Sequence, residues 1–464
     1  VITVDEGGFV SALPSSSETL SGLIADERRR FLEEHPRSVA LAAQAGAVWR
    51  GGVPMHWMAD WASPSPIFAA QGVGAELVDV DGRSYADFCL GDTPGMFGHG
   101  EIAVANALAD QARRGAGFML PTATAVLVGQ LLAERFGLPL WQAATTATDA
   151  NRAALRWARA VTGRDRVLVF DGCYHGAVDE TFVSLASGGP AMKAGLIGQV
   201  HDEAALTRVI PFNDIAALEA ALAPGDVAAV LAEPVMTNCG MILPDPGFHA
   251  ALRELTRQAG TLLIIDETHT LSTGPGGYTR AHGLEPDIFT VGKAIAGGLP
   301  AAVWGVTADL AARMDAAQAR IGPGYSGIGT TLSGNALAMS AMRAMLTEVM
   351  SDSAYDRMLS GAARLVAGLE AVIARRGLGW TPVRVGARVE LVFAAETPRN
   401  AQEMRKALDH DLLAAFHLFL INRGVLIAPF HNMMLVSPMT TDAQIDRLVD
   451  AVDGFAGQLE SPDA

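Results

Sequence analysis

Apolar and polar positions along the chain fall into three kinds of pattern, and each predicts a different kind of element. Over residues 24–47 the spacing suits helices, with Pro36 as a break, and Gly51-Gly52-Val53-Pro54 closes the stretch with turn chemistry. Residues 76–88 alternate around Asp81-Gly82, which predicts a hairpin in a half-buried sheet. The middle of the chain differs in kind. Short apolar runs at 167–170, 228–231, 262–265 and 288–291 are separated by helical stretches, the pattern of a parallel sheet covered by helices on both faces. A helical stretch over about 335–376 leads into 383–393, which alternates like one strand, and then into helix, strand and helix. The expected fold class is therefore α/β: a large domain around a mostly parallel central sheet, and a smaller α/β domain built from the chain ends. The boundaries read from these patterns are an N-terminal arm, mobile or docked on a partner, over 1–24; the first part of the small domain over 25–75; the large domain over 76–345; and the rest of the small domain over 346–464.

Composition narrows the function classes. With 464 residues, half of them apolar, the chain can bury a large core. Its formal charge of −16 argues against nucleic acid or an anionic membrane surface as partner, since both call for clustered Lys and Arg. Small molecules are the expected ligands. Cys89, Cys173 and Cys239 are scattered, with no CxxC spacing, which fits a reducing compartment without a disulfide framework. No apolar run approaches the roughly 20 residues of a membrane span, and the start lacks the basic-then-apolar order of a signal peptide, so the cytoplasm is the expected location. The histidines lack metal-ligand spacing, and no metal site is expected. His269 and His282 read as structural. Gly322-Pro323-Gly324-Tyr325-Ser326-Gly327 matches a GxGxxG pattern but follows no strand, so it reads as a loop.

Open parallel sheets bind ligands beyond the carboxyl ends of their strands, which directs attention to the residues after each apolar run. The run 262–265 stops at Asp266-Glu267, and the run 288–291 stops at Gly292-Lys293 before Ala294-Ile295-Ala296-Gly297-Gly298. A lysine in so apolar a setting either snorkels to water or is a desolvated amine nucleophile for carbonyls. Asp266 either caps a helix or is a buried carboxylate that keeps a pyridine nitrogen protonated. Thr145-Thr146-Ala147-Thr148-Asp149-Ala150-Asn151 opens an amphipathic helix, and its hydroxyls and N–H groups form either an ordinary cap or an anion site suited to a phosphate.

Taken together, these segments resemble the class III aminotransferases, pyridoxal-phosphate enzymes of fold type I, nearest the branch of glutamate-1-semialdehyde aminomutases and β-amino-acid aminotransferases. Gly172-Cys173-Tyr174-His175-Gly176, Glu233-Pro234-Val235 with Asn238 and Gly240, Asp266-Glu267, Lys293, and Thr331-Leu332-Ser333-Gly334-Asn335 resemble the family's motifs in order along nearly the whole chain. The resemblance implies pyridoxal 5'-phosphate as cofactor, bound by the large domain. Lys293 is then its Schiff-base lysine and the general acid and base, and Asp266 the partner of the ring nitrogen. Tyr174 covers one ring face and Thr268 meets the other, with His175 and Glu233 among the cofactor contacts. Thr146, Ala147 and Thr148 cradle the phosphate together with Thr331 of a neighbouring copy, which implies a homodimer with a shared site.

Departures from the family pattern bear on substrate. The phosphate loop's usual glycine is Ala147, and Thr268 stands in place of a valine. The aminomutases' carboxylate-binding arginine has no counterpart in Val53-Pro54-Met55-His56-Trp57-Met58, and Phe430 stands where β-amino-acid aminotransferases carry theirs. Trp57, Trp61 and Phe430 are the expected pocket aromatics, with Arg388 or Arg50 as candidates to bind an acceptor carboxylate. The leading expectation is a transaminase that moves an amino group from an amine or amino acid, bulky or β-amino, to a 2-oxo acid through pyridoxamine phosphate. The alternative is an aminomutase of the glutamate-1-semialdehyde type, a racemase or a lyase on the same scaffold. A non-catalytic scaffold fits poorly with Lys293, Asp266 and Tyr174 all retained.

Overall fold

The computed structural model describes residues 17–324 and 326–460. It divides into two compact units: residues up to Asp92 with Arg357–Pro398 and Glu403 onward, and Thr93–Asp356 with Arg399–Gln402.

In the unit made from the chain ends, helices Ser17–Glu34 and Pro36–Ala45 follow one another with Pro36 in the first helical turn, where its missing N–H costs nothing. Of the arm expected over 1–24, residues 1–16 lie outside the described residues. Residues 17–24 are helical, because Leu20, Leu23 and Ile24 form one face packed on the core around Phe416, Phe419 and Phe455. The hairpin Glu76–Asp79 and Ser84–Asp87 forms as its pattern predicts, with Ala69–Val73 added along one edge. Its other edge pairs in parallel with Val425–Leu426, which draws 76–92 into this unit rather than the large one. Residues 383–393, expected as one strand, belong to a hairpin instead: Thr381–Val385 and Arg388–Val392 run antiparallel and turn at Gly386, whose φ of 56° suits glycine.

The second unit holds a sheet of seven strands: β1 Leu140–Ala144, β2 Arg166–Phe170, β3 Thr207–Ile210, β4 Val227–Ala232, β5 Leu262–Asp266, β6 Ile288–Val291 and β7 Ala302–Val306. Their spatial order is β1-β7-β6-β5-β4-β2-β3. All neighbours are parallel except β7, which runs against both β1 and β6. The four apolar runs of the sequence become β2, β4, β5 and β6, contiguous in the middle of the sheet. With helices such as Ala147–Thr162 and Phe248–Ala259 packed against it, the sheet is a mixed, mostly parallel α/β layer. Because β5 and β6 are adjacent and parallel, Asp266 and Lys293 emerge at the same edge of the sheet.

Candidate active site

Beyond β5, Asp266 is buried and saturated with donors. Its Oδ2 accepts from Asn151 Nδ2 at 2.8 Å and faces His175 Nδ1 at 3.0 Å, and its Oδ1 accepts from the Thr268 N–H at 3.1 Å. Burial alone would raise its pKa, but the hydrogen bond and charge of His175, with Asn151, hold the carboxyl well below its ordinary range. Burial likewise opposes the imidazolium of His175, yet Asp266 outweighs it and holds the ring well above its usual value. Asn151 is fixed in turn by Thr290 Oγ1, which donates to its side-chain oxygen at 2.8 Å. The strand ends thus present an ionised, oriented carboxylate. Asn151 stands in a motif the sequence flagged, but its role on Asp266 was not read there. Its signal is that it lies on the wholly buried face of the helix, one turn beyond Ala147.

The neighbouring Glu267 does different work. Fully buried, it accepts from Thr270 Oγ1 at 2.6 Å and from the Tyr278 N–H at 3.1 Å, and also from the Thr279 N–H. Gly277, at φ 71°, passes so close that a Cβ there would lie 2.7 Å from Glu267 Oε2. The carboxylate therefore clamps the 270–279 loop.

Lys293 follows β6 with φ 50°, a left-handed conformation that lysine seldom adopts. Its Nζ lies 2.8 Å from His269 Nε2, and His269 Nδ1 lies 3.1 Å from Thr93 Oγ1. Sequence reading assigned His269 to structure; its place three residues past Asp266, on a loop folded back over the strand ends, brings it to the lysine instead. The chain has three lysines in all, Lys193, Lys293 and Lys406. Lys193 donates to the Cys173 carbonyl at 2.6 Å, and Lys406 is exposed on the helix Ala401–Ala407.

Thr146 caps the helix Ala147–Thr162, its Oγ1 accepting from the Asp149 N–H at 3.2 Å. Ala147 is the first helical residue, so the freedom of a glycine is not needed there. Its methyl group faces Gly292, where a Cβ would come within 3.0 Å of it. The hydroxyl of Thr148 accepts from the Ala177 N–H at 3.0 Å, and a Cβ on Gly176 would collide with that hydroxyl. The N–H groups of Ala147 and Thr148 have no carbonyl of their own helix to meet and are the natural donors to an anion.

Tyr174 is half exposed, and its N–H lies 3.5 Å from Glu233 Oε1. Glu233 is buried, which raises its pKa, and its Oε2 gathers Thr237 and Asn238 of its own loop. Thr268 is buried, and its hydroxyl meets no hydrogen-bond partner among the described residues. Thr331 is exposed; beside it, Thr330 Oγ1 and Ser333 Oγ lie 3.1 and 3.2 Å from Thr145 Oγ1.

The four expected pocket residues lie in the chain-end unit. Trp57 and Phe430 are about half exposed. Trp61 packs on the cluster of Phe31, Tyr85 and Leu418. Arg388 is fully buried in its strand, with Nη1 3.0 Å from Met433 Sδ. Arg50, the other candidate, is exposed.

The family model for aminotransferase class-III matches residues 57–454. This chain belongs to the class-III aminotransferases. Among its relatives in that family is the glutamate-1-semialdehyde 2,1-aminomutase of Roseiflexus castenholzii, 36% identical over 424 residues that cover 89% of this chain and 96% of that protein. A crystal structure of a glutamate-1-semialdehyde-aminomutase from Pseudomonas aeruginosa PAO1 in complex with PMP is 48% identical, with a TM-score of 0.93, and covers 96% of this chain and 99% of the other. A β-phenylalanine aminotransferase from Variovorax paradoxus is 28% identical with a TM-score of 0.84, covering 94% and 97% of the two chains. The fold of this aminotransferase is accordingly fold type I.

Proposed function

We propose that this pyridoxal-phosphate-dependent enzyme relocates an amino group within one substrate, as an aminomutase, with Lys293 as the residue that holds the cofactor covalently. The observation that carries the assignment of the lysine is the pairing of adjacent strand ends: an ionised, buried Asp266 beyond β5 and the amine of Lys293 beyond β6. The donor set fits pyridoxal phosphate. A carboxylate held below its ordinary pKa suits a protonated pyridine nitrogen, the start of the helix Ala147–Thr162 suits the phosphate, and the unpartnered Thr268 hydroxyl is a buried polar group awaiting a ligand. When bound, the cofactor supplies a sink for the electron pair left when a proton leaves the amino-bearing carbon.

The chain's own residues would do the rest. Asp266 holds the ring nitrogen's proton, oriented by Asn151 and His175. Tyr174, half exposed beyond β2, is available to cover a ring face, while Glu233 and His175 act behind it, on the loop and on Asp266. Lys293 Nζ, on the side of the sheet edge where Asp266 also emerges, would take and return the proton at the substrate carbon.

The choice of an aminomutase rests on the two glutamate-1-semialdehyde aminomutases named above, 36% and 48% identical to this chain. The transaminase that the sequence puts first remains the second reading, favoured by Phe430 and the 53–58 segment, where no arginine stands ready for a substrate carboxylate. Glutamate 1-semialdehyde offered alone decides between them. Turnover without any 2-oxo acid, lost in Lys293→Ala, supports the aminomutase. Turnover of an amine or β-amino acid that strictly requires a 2-oxo acid supports the transaminase.

A homodimer is part of the proposal. The exposed Thr331 and Leu332, with the exposed apolar run Phe118-Met119-Leu120 in the same unit, are surface that a second copy would cover. We also propose the cytoplasm as location, supported by the buried thiols of Cys89 and Cys173.

A further inference from the structure

Three residues from separate parts of the second unit meet in a line: Lys293 after β6, His269 after β5, and Thr93. Lys293 Nζ lies 2.8 Å from His269 Nε2, and His269 Nδ1 lies 3.1 Å from Thr93 Oγ1; when the lysine is an ammonium it donates to Nε2, and the ring proton then sits on Nδ1, facing the hydroxyl. His269 and Thr93 are both buried, and the loop that carries His269 is held by the Glu267 clamp. Both ends of the line sit on unfavourable backbone. Lys293 has φ 50° and Thr93, a β-branched residue, has φ 101°. Strain of this kind persists only where the surroundings over-determine it, and here it keeps both residues in reach of one imidazole.

We propose that His269 is a positioning residue for the released amine of Lys293, receiving Nζ each time it leaves the cofactor and keeping it poised to return, with Thr93 holding the ring in place. This rests on the assignment of Lys293 as the cofactor-holding lysine. A cycle in which an incoming amine displaces the lysine needs a defined place for the displaced group. Without one, a four-carbon chain samples many rotamers before it recaptures the cofactor.

The test is the rate of recapture, read by absorbance rather than by turnover. The holoenzyme is treated with an excess of a simple displacing amine and then diluted out of it in a stopped-flow cell, and the return of the lysine-bound cofactor band is timed. His269→Leu should slow recapture about tenfold or more, the loss expected for a hydrogen bond to a charged group, with cofactor content unchanged. His269→Gln, whose side-chain oxygen can still accept from Nζ, should stay within about threefold of wild type. Should the leucine variant fail to fold, Thr93→Val carries the test and should slow recapture about threefold. Recapture at the wild-type rate in His269→Leu, or in Thr93→Val, overturns the inference and leaves the assignment of Lys293 standing. Absence of any lysine-bound cofactor in the wild-type protein overturns that assignment, and this inference with it.

Discussion

His175 stands behind Asp266, its Nδ1 3.0 Å from the carboxylate's Oδ2, and the two hold each other charged inside the protein. A buried pair of this kind adds little to stability as such. Its effect is on protonation: the carboxylate beyond β5 is ionised across the whole range in which the enzyme would work.

His175→Gln keeps a hydrogen bond within reach of Asp266 and removes the charge. Burial then raises the Asp266 pKa unopposed by the imidazolium, so the carboxylate takes up its proton at higher pH than in wild type. Wild type, with this carboxyl held down to about 2, should show no acid limb from Asp266 in a profile between about pH 4 and 9, whereas His175→Gln should show one, as burial without the imidazolium lifts the carboxyl into that window. Asp266→Asn removes the carboxylate altogether and should lower turnover about 10²- to 10³-fold at every pH, measured at saturating cofactor.

Glu267→Gln tests the clamp on the 270–279 loop. One amide cannot accept from Thr270, Tyr278 and Thr279 with both of its ends, so at least one buried donor loses its acceptor. We expect a loss of about 2 kcal/mol in urea unfolding, with faster proteolysis within 270–279.

His417 supplies a pH dependence of stability independent of the site. It is buried against Asn432, with Nε2 3.0 Å from the side-chain oxygen, and burial pushes its pKa down to about 4. A histidine whose folded pKa is depressed gives stability that is present in full above the unfolded value near 6.5 and is lost as pH falls toward the folded one. The loss between about pH 6.5 and 4 should be on the order of 3 kcal/mol, and His417→Gln should flatten that part of the curve of melting temperature against pH.

Legibility in the sequence follows burial. Strands β2, β4, β5 and β6 declare themselves as continuous apolar runs because central parallel strands are covered on both faces. β1 and β3 lie at the sheet edges, where Gln142 and Arg208 interrupt the pattern. β7 is fully buried but carries Gly305, whose missing side chain makes room for the ring of Trp141. Asp266 and Lys293 are readable because each ends an apolar run. The contact between Lys293 and His269 is not, since it arises where loops from two adjacent strands cross. The same holds for the burial of Arg388, a candidate from the sequence for an acceptor carboxylate, whose place in its strand beside Met433 no local pattern announces.

Whether Lys293 holds the cofactor is read by reductive trapping, and the presence of only three lysines makes the outcome unambiguous. The protein is loaded with pyridoxal phosphate, reduced with borohydride, digested, and its peptides are weighed. A stable adduct is expected on the peptide that contains Lys293 and on no other. An adduct on Lys193 or Lys406 instead, or none in a protein that binds the cofactor, would contradict it.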